Sequence, residues 1–381
     1  MHIDIIEGAE EIELLNDRWE ELAFSDRLDG FFRNPRWYRL WCRHVRPDAE
    51  PFVVVARGHG HEVVGIAPLC RVSYRDLGFR LTAVVTGGRE IVSGDFLDYP
   101  ILPDARAAAL PAMLERIWTS QSTWDLLIVG EVLEGGELHQ AVKAFAEREG
   151  VPLRVQEERV CPYIDLPPTY EEYLRGLSPK MRYEMRRDTR DLLEKHGARI
   201  TVHSDDGDEV RDHVETLIRL HLAHWRHVNN PGTLGRPELS AFLKALCPAP
   251  SSNGRTRIYV LHHQDRPVAA VLVFWYGDSA LFYQTGWDPA AARLSPGLVL
   301  VGWSIRDAIE NGFKRYDFLR GDEGYKMRLT KSSRRTITLL LARTFLARKF
   351  LNAAQLKDSV KRLVSPATPP ASTGQNAART R

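Results

Sequence analysis

Between residues 316 and 326 the chain reads Tyr-Asp-Phe-Leu-Arg-Gly-Asp-Glu-Gly-Tyr-Lys, its densest run of reactive side chains. Asp317 interrupts an apolar strand pattern, which predicts that it faces inward or into a cleft. A carboxylate there can orient Arg320 or take a proton from an amine nucleophile, and Glu323 is an alternative base. Arg320 and Lys326 can hold an anionic group, the arginine in bidentate fashion. A second reading fits the same residues: ion pairs Asp317–Arg320 and Glu323–Lys326 that pin a loop.

Three other groupings carry chemistry. Arg182, Arg186 and Arg190 recur every four residues on a helix expected over Lys180–Lys195, with Met181, Met185 and Leu192 as its apolar stripe. Such a face suits a phosphate-bearing ligand, but Asp188, Asp191 and Glu194 interleave, and a solvated face fits equally. His221 and His224 lie one turn apart, with Trp225 beside them. No local carboxylate or cysteine completes a metal set, so no metal is expected, and Trp225 reads as core or as the wall of an acceptor pocket. In the first half, Asp95 and Asp98 sit in Gly-Asp-Phe-Leu-Asp-Tyr, where they either face a cleft or are structural.

The elements that must position these residues follow from periodicity and breakers. The first half reads as a strand at Ile3–Ile6 and helices over Ala9–Ala23 and Pro35–His44. Strands Phe52–Ala56 and Glu62–Arg71 turn through Gly58-His59-Gly60-His61. Further strands are expected at Leu81–Thr86, Tyr99–Ile101 and Trp124–Val129. Helices are expected at Ala105–Thr119 and Leu138–Glu149, the latter closed by Gly150. In the second half, Ser178 and Pro179 open the basic helix. A strand Arg199–His203 and helices Val210–His227 and Pro237–Leu246 follow. The hairpin Ile258–His262/Pro267–Tyr276, strand Leu281–Gly286, helix Pro296–Asn311 and strand Arg315–Leu319 complete it. Both halves thus repeat one plan, a mixed α/β sheet flanked by helices. The expected division is 1–155, 156–345 and a terminal piece, 346–381, made of a helix end and a tail, with Ser365–Arg381 disordered on composition.

Composition excludes several classes. Lys+Arg 52 against Asp+Glu 50 leaves a net charge of +2, which forces neither nucleic acid nor membrane as partner. The longest apolar runs, such as Ala269–Trp275, are strand-sized, well short of the ~20 residues of a spanning helix. The acidic N-terminus has no apolar signal core. Cys42, Cys70, Cys161 and Cys247 are far apart in sequence with no CxxC pair, so reduced thiols and a cytoplasmic location are expected. No GxSxG, GxxxxGK[ST] or HExxH motif is present.

The 316–326 run resembles the closing motif of the CelD/BcsL-like acetyltransferases, a GNAT family named for cellulose-biosynthesis clusters. Passages in the same order agree: Cys161–Leu166, Leu177–Arg182, Leu220-His221 with Trp225, and Arg293-Leu294-Ser295-Pro296-Gly297. In the first half, Gly65–Leu69 and Asp95–Tyr99 agree as well. The resemblance covers roughly residues 10–345 and extends to the FemAB-type transferases, tandem GNAT folds that move amino acids from tRNA to peptidoglycan precursors. It implies a tandem GNAT fold and an acyl-CoA-dependent N-acyltransferase, with acetyl-CoA or another acyl-CoA as co-substrate and no covalent enzyme intermediate. The acceptor it implies is a small-molecule amine, an amino-sugar or an envelope-polysaccharide precursor.

In such folds the CoA pyrophosphate sits at a helix start, where backbone N–H groups and the dipole favour an anion. Here that place is Arg293, Ser295, Gly297 and Leu298, although Arg293 and Gly297 are four apart and Pro296 removes one donor. Asp317 or Glu323 would be the base, and Tyr325 would protonate the departing thiolate. Asp98, Arg186, Trp225, Arg320 and Lys326 would meet the substrate. The first half would be a CoA-free copy helping to form the acceptor site. The alternatives are a tRNA-dependent aminoacyl transfer through the basic helix and a non-catalytic scaffold or sensor.

Overall fold

Fourteen strands form among the described residues. In chain order they are β1 (His2–Ile6), β2 (Glu50–Pro51), β3 (Val53–Arg57), β4 (Val63–Ala67), β5 (Leu69–Asp76), β6 (Phe79–Thr86), β7 (Leu126–Leu133), β8 (Leu153–Asp165), β9 (Arg199–Ser204), β10 (Gly254–His263), β11 (Arg266–Tyr276), β12 (Ser279–Trp287), β13 (Arg315–Asp317) and β14 (Ser332–Ala342). The computed structural model describes residues 1–204 and 207–364, with the side chains of 157, 158, 207, 208 and 358–364 left aside. The disorder expected over Ser365–Arg381 lies outside the described residues.

Eleven strands make one continuous mixed sheet, ordered β2-β5-β6-β7-β14-β8-β13-β12-β11-β10-β9, and β1-β3-β4 form a small second sheet. Each half contributes one short parallel pair of three residue pairs. In the first half it is β6 with β7, from Ala83↔Leu126 to Val85↔Ile128. In the second it is β12 with β13, from Ser279↔Arg315 to Leu281↔Asp317. This repeat is the tandem GNAT fold, two GNAT-like halves in a mixed α/β architecture.

The halves are joined more closely than a boundary near residue 155 suggests. β14 lies at the end of the expected second half but pairs with β7 of the first half on one side and β8 on the other. The chain then forms the helix Phe345–Val364, where only a helix end was expected after residue 346. Its Phe350, 1% exposed, packs edge-on against Tyr74 and Phe79 of the first half. One hydrophobic core accordingly mixes Trp37, Val55 and Leu126 with Leu220, Phe242, Phe274 and Leu340.

Most expected elements stand within a few residues of their places, and the differences have local causes. The run Glu62–Arg71 is cut at Pro68, which has no N–H for a ladder. Its first part pairs with β3 and its second with β6, in different sheets. Ala9–Ala23 breaks at Leu14 into Ala9–Glu13 and Asn16–Ser25. Tyr99–Ile101 makes only the isolated bridge Gly65↔Ile101. The hairpin between β10 and β11 turns tightly through Gln264 and Asp265, both in the left-handed region, as a two-residue turn of the primed type demands. Cys42 and Cys70, distant in sequence, come together with sulfurs 3.7 Å apart as free thiols.

Candidate functional site

The second-half parallel pair ends at Leu281↔Asp317, yet β12 continues six residues further, to Trp287. The chain after Asp317 stays on β8 instead: Phe318 N–H donates to Pro162 O and Gly321 N–H to Val160 O, both at 2.9 Å. The two strands therefore splay. A bulge falls in the diverging segment, with Val273 opposite Phe282 and Leu272 opposite Gln284, so Tyr283 is the extra residue.

Beyond β12, Asp288 caps the short turn Pro289–Leu294, and Ser295 in the left-handed region (φ 50°) starts the helix Pro296–Glu310. The first N–H groups of that helix have no intrahelical acceptor. Ser295, Gly297 and Leu298 are half-exposed, and Arg293 is exposed with no ion-pair partner among the described residues. Gly297 lies against the Trp287 ring: a Cβ there would stand 3.4 Å from Trp287 Cδ1. Ser295 offers no side-chain cap.

The helix Gly207–His227 closes over the splayed strand. A Cβ on Gly286 would lie 2.2 Å from the backbone nitrogen of His221, so only glycine permits this approach. His221 is 3% exposed, and its Nδ1 lies 3.0 Å from Thr285 O. A carbonyl only accepts, so Nδ1 carries the proton and Nε2 keeps its lone pair. That Nε2 is buried with no hydrogen-bond partner. Burial pulls the imidazole down to about 4, with the Thr285 carbonyl opposing, so His221 is neutral near pH 7. His224 stacks at a tilt on Trp287, 4.6 Å between ring centres, and Trp225 is 5.5 Å from His224. The fold thus gathers Trp225, His221, His224, Trp287 and Gly297 at one place. Sequence spacing flagged the two histidines only as weak metal ligands. Which nitrogen of His221 is free depends on the Thr285 carbonyl, which no spacing encodes.

The 316–326 segment divides between two environments. Asp317 is fully buried, accepts nothing from Arg320, and instead accepts from Arg334 Nη2 at 2.5 Å and from the Leu319 amide at 2.8 Å. The expected Asp317–Arg320 pairing is corrected on this point. Burial raises the Asp317 carboxyl to about 6 against the pull of Arg334. Arg320 turns to the first half: Nε donates to Asp95 Oδ1 at 2.8 Å, Nη1 to Glu131 at 3.2 Å and Nη2 to Gly94 O at 2.7 Å. Every nitrogen of its fork is spent inside the protein. Arg334 also holds Asp29 at 2.7 Å and covers the Phe96 ring at 3.8 Å.

At the far end of the segment Lys326, 4% exposed, donates to Glu323 and to Arg320 O, each at 2.9 Å, which realises the ion pair of the second reading. Tyr325 is half-buried in the apolar cluster that also takes Trp287 and Leu298. Its hydroxyl has no hydrogen-bond partner among the described residues, and burial raises it well above its ordinary range, so it stays protonated.

Other expected residues lie elsewhere. Asp98 turns onto Arg106 at 2.5 Å, in the first turn of the first-half helix Pro103–Trp118. Arg186 is exposed and paired with Glu171, Arg187 with Asp188 and Arg190 with Asp191. The basic helix is largely self-compensated. Two surface clefts, one lined by Pro248–Arg255 and one by Thr82, Gln121–Asp125, Arg343 and Thr344, share no residue with the splayed site.

Residues 179–327 match the family model of the acetyltransferase (GNAT) domain. This stretch runs from the basic helix through β12, the helix Pro296–Glu310 and the segment that holds Lys326, all within the second half. No curated protein matches the chain in sequence. Among solved structures the chain is similar to FemX, at TM-score 0.60 and 11% identity, covering 89% of this chain and 97% of that one. A conserved protein of unknown function from Bacteroides thetaiotaomicron gives TM-score 0.54 and 11% identity over 89% and 100%. The C-terminal domain of a putative lysylphosphatidylglycerol synthetase from Agrobacterium fabrum gives 0.53 and 11% over 91% and 97%. At such identities these likenesses concern the fold, and they extend over both GNAT-like halves. No helix among the described residues is long and apolar enough to cross a membrane.

Proposed function

We propose that the protein is an acyl-CoA-dependent N-acyltransferase working in the splay between β12 and β13, with acetyl-CoA as the simplest donor. The observation that carries this reading is the continuation of β12 past Leu281 to the open helix start at Ser295–Leu298. Arg293, Ser295 and the amides of Gly297 and Leu298 would hold the pyrophosphate. Backbone N–H groups of the diverging strand would polarise the thioester carbonyl.

The attacking amine would form the new C–N bond while the C–S bond breaks. The neutral Nε2 of His221 would take the amine's proton, and Tyr325 would return one to the thiolate. Glu323, exposed and tied to Lys326, is the alternative base through water. Asp317, Arg320, Asp95, Glu131 and Arg334 join the two halves and set the angle at which β13 leaves β12. Trp225, close to His224, would wall the acceptor pocket. In the resembled CelD/BcsL-like family the acceptor would be an amino-sugar or envelope-polysaccharide precursor, acylated in the cytoplasm. A tRNA donor is less favoured, because the basic helix meets its own carboxylates.

The test is thiol release from acetyl-CoA against a panel of amines and amino-sugars, with His221→Gln and Tyr325→Phe compared. Acceptor-dependent release that both variants reduce supports the reading. Release that neither changes would move the chemistry to other residues.

A further inference from the structure

At the outer edge of the long sheet, away from the splay, three ligand-type side chains meet. His203 extends from edge strand β9, and Glu209 and His213 lie one turn apart on the helix Gly207–His227 that covers it. One ligand atom from each lies within 4.8 Å of the other two. The imidazoles of His203 and His213 stack with ring centres 3.4 Å apart.

The hydrogen bonds around them define the free electron pairs. Strand periodicity puts Thr201 and His203 on one face of β9, and β9 is paired with β10. The Thr201 hydroxyl lies 3.4 Å from Val260 O, which only accepts, so its proton points there. It therefore accepts N–H from His203 Nε2 at 2.9 Å and from His262 Nε2 at 3.2 Å. His203 Nδ1 is then a lone pair, yet it faces Glu209 Oε1 at 2.8 Å. Two acceptors at that separation need a proton or a metal ion between them.

We propose that His203 Nδ1, Glu209 and His213 Nε2 bind a divalent transition-metal ion, with zinc the natural probe. Two imidazoles and a carboxylate are a borderline donor set that suits zinc. The Thr201 hydroxyl serves as the outer-shell acceptor that fixes the His203 tautomer. Ligand atoms about 2 Å from a tetrahedral ion lie roughly 3.3 Å apart, and the exposed Glu209 side chain supplies the small movement required. The ion would clip the sheet's edge strand to the helix whose other end, at His221, closes on β12. The set was hidden in the sequence because its members come from a strand and from a helix.

The experiment is a competition titration of the whole protein with zinc against a chromogenic chelator, with Glu209→Gln and His213→Ala alongside. Glu209 is exposed, so its variant folds whatever its role. The expected result is one zinc per chain at micromolar affinity or tighter, weakened at least tenfold in Glu209→Gln and a hundredfold in His213→Ala. Cobalt should give a visible d–d spectrum that both variants lose or shift. Absence of stoichiometric zinc binding, or binding indifferent to both substitutions, overturns the proposal.

Discussion

Arg320, on the strand exit of the second half, grips Asp95 of the first half twice: its side-chain Nε donates at 2.8 Å and its backbone N–H at 2.9 Å. Asp95 is fully buried, so the carboxylate has no water to fall back on. Glu131 on β7 takes the remaining fork. The charge cluster that looks catalytic in the sequence is therefore first a joint between halves, and it fixes where β13 parts from β12.

Removing one partner of this joint strands the other charge. Arg320→Ala is expected to cost about 3–5 kcal/mol, the usual toll for a broken buried ion pair. Urea unfolding measures it. A loss below about 1 kcal/mol would mean that the joint is wet and relaxed.

Gly286 sets the approach of the covering helix. Gly286→Ala brings a Cβ onto the His221 backbone at 2.2 Å and should destabilise by about 1–3 kcal/mol through overpacking. Gly297→Ala meets Trp287 at an ordinary 3.4 Å and should unfold at nearly the wild-type denaturant midpoint. Thermal and urea melts of the pair give the comparison.

Two buried groups titrate in opposite senses between pH 4 and 6.5. His221 is lowered to about 4, so the unfolded chain takes its proton first, and the stability it lends at neutral pH is lost as pH falls through 6.5. Asp317 is raised to about 6; its contribution is present below the unfolded value of 3.8 and lost as pH rises through 6. Wild type should show a shallow profile. In His221→Gln only the carboxyl remains, so the stability gap between wild type and variant should shrink by about 3 kcal/mol from pH 7 to pH 4. A gap constant with pH would show that His221 is not held neutral by burial.

Tyr325→Phe removes a protonated hydroxyl without changing the packed ring. If it supplies the thiolate's proton, kcat should fall about 100-fold with KM little altered. Steady-state thiol release reads both constants. A rise in KM alone would make Tyr325 a binding residue.

The architecture was legible wherever local pattern decides it. Pro35–His44, the Gly150 stop, the β10–β11 hairpin and the Pro296 helix all come from caps, turns and period. β8 and β14 were not read, because their charged and apolar residues alternate weakly and β14 pairs with a strand some 200 residues away. In the site, the Arg293–Leu298 helix start was visible as a motif. The partners of Asp317 and Arg320 were not: choosing Arg334 and Asp95 over each other depends on how two halves dock. His221 needed the Thr285 carbonyl to reveal which nitrogen is free.

The most direct measurement is calorimetric titration of the protein with acetyl-CoA, repeated with Arg293→Ala and Gly297→Trp. A donor site at the Ser295–Leu298 helix start predicts micromolar binding in the wild type, weakened by loss of the Arg293 charge and abolished when an indole fills the place of Gly297. No heat with acetyl-CoA or longer acyl-CoAs, or equal binding by all three proteins, would contradict it.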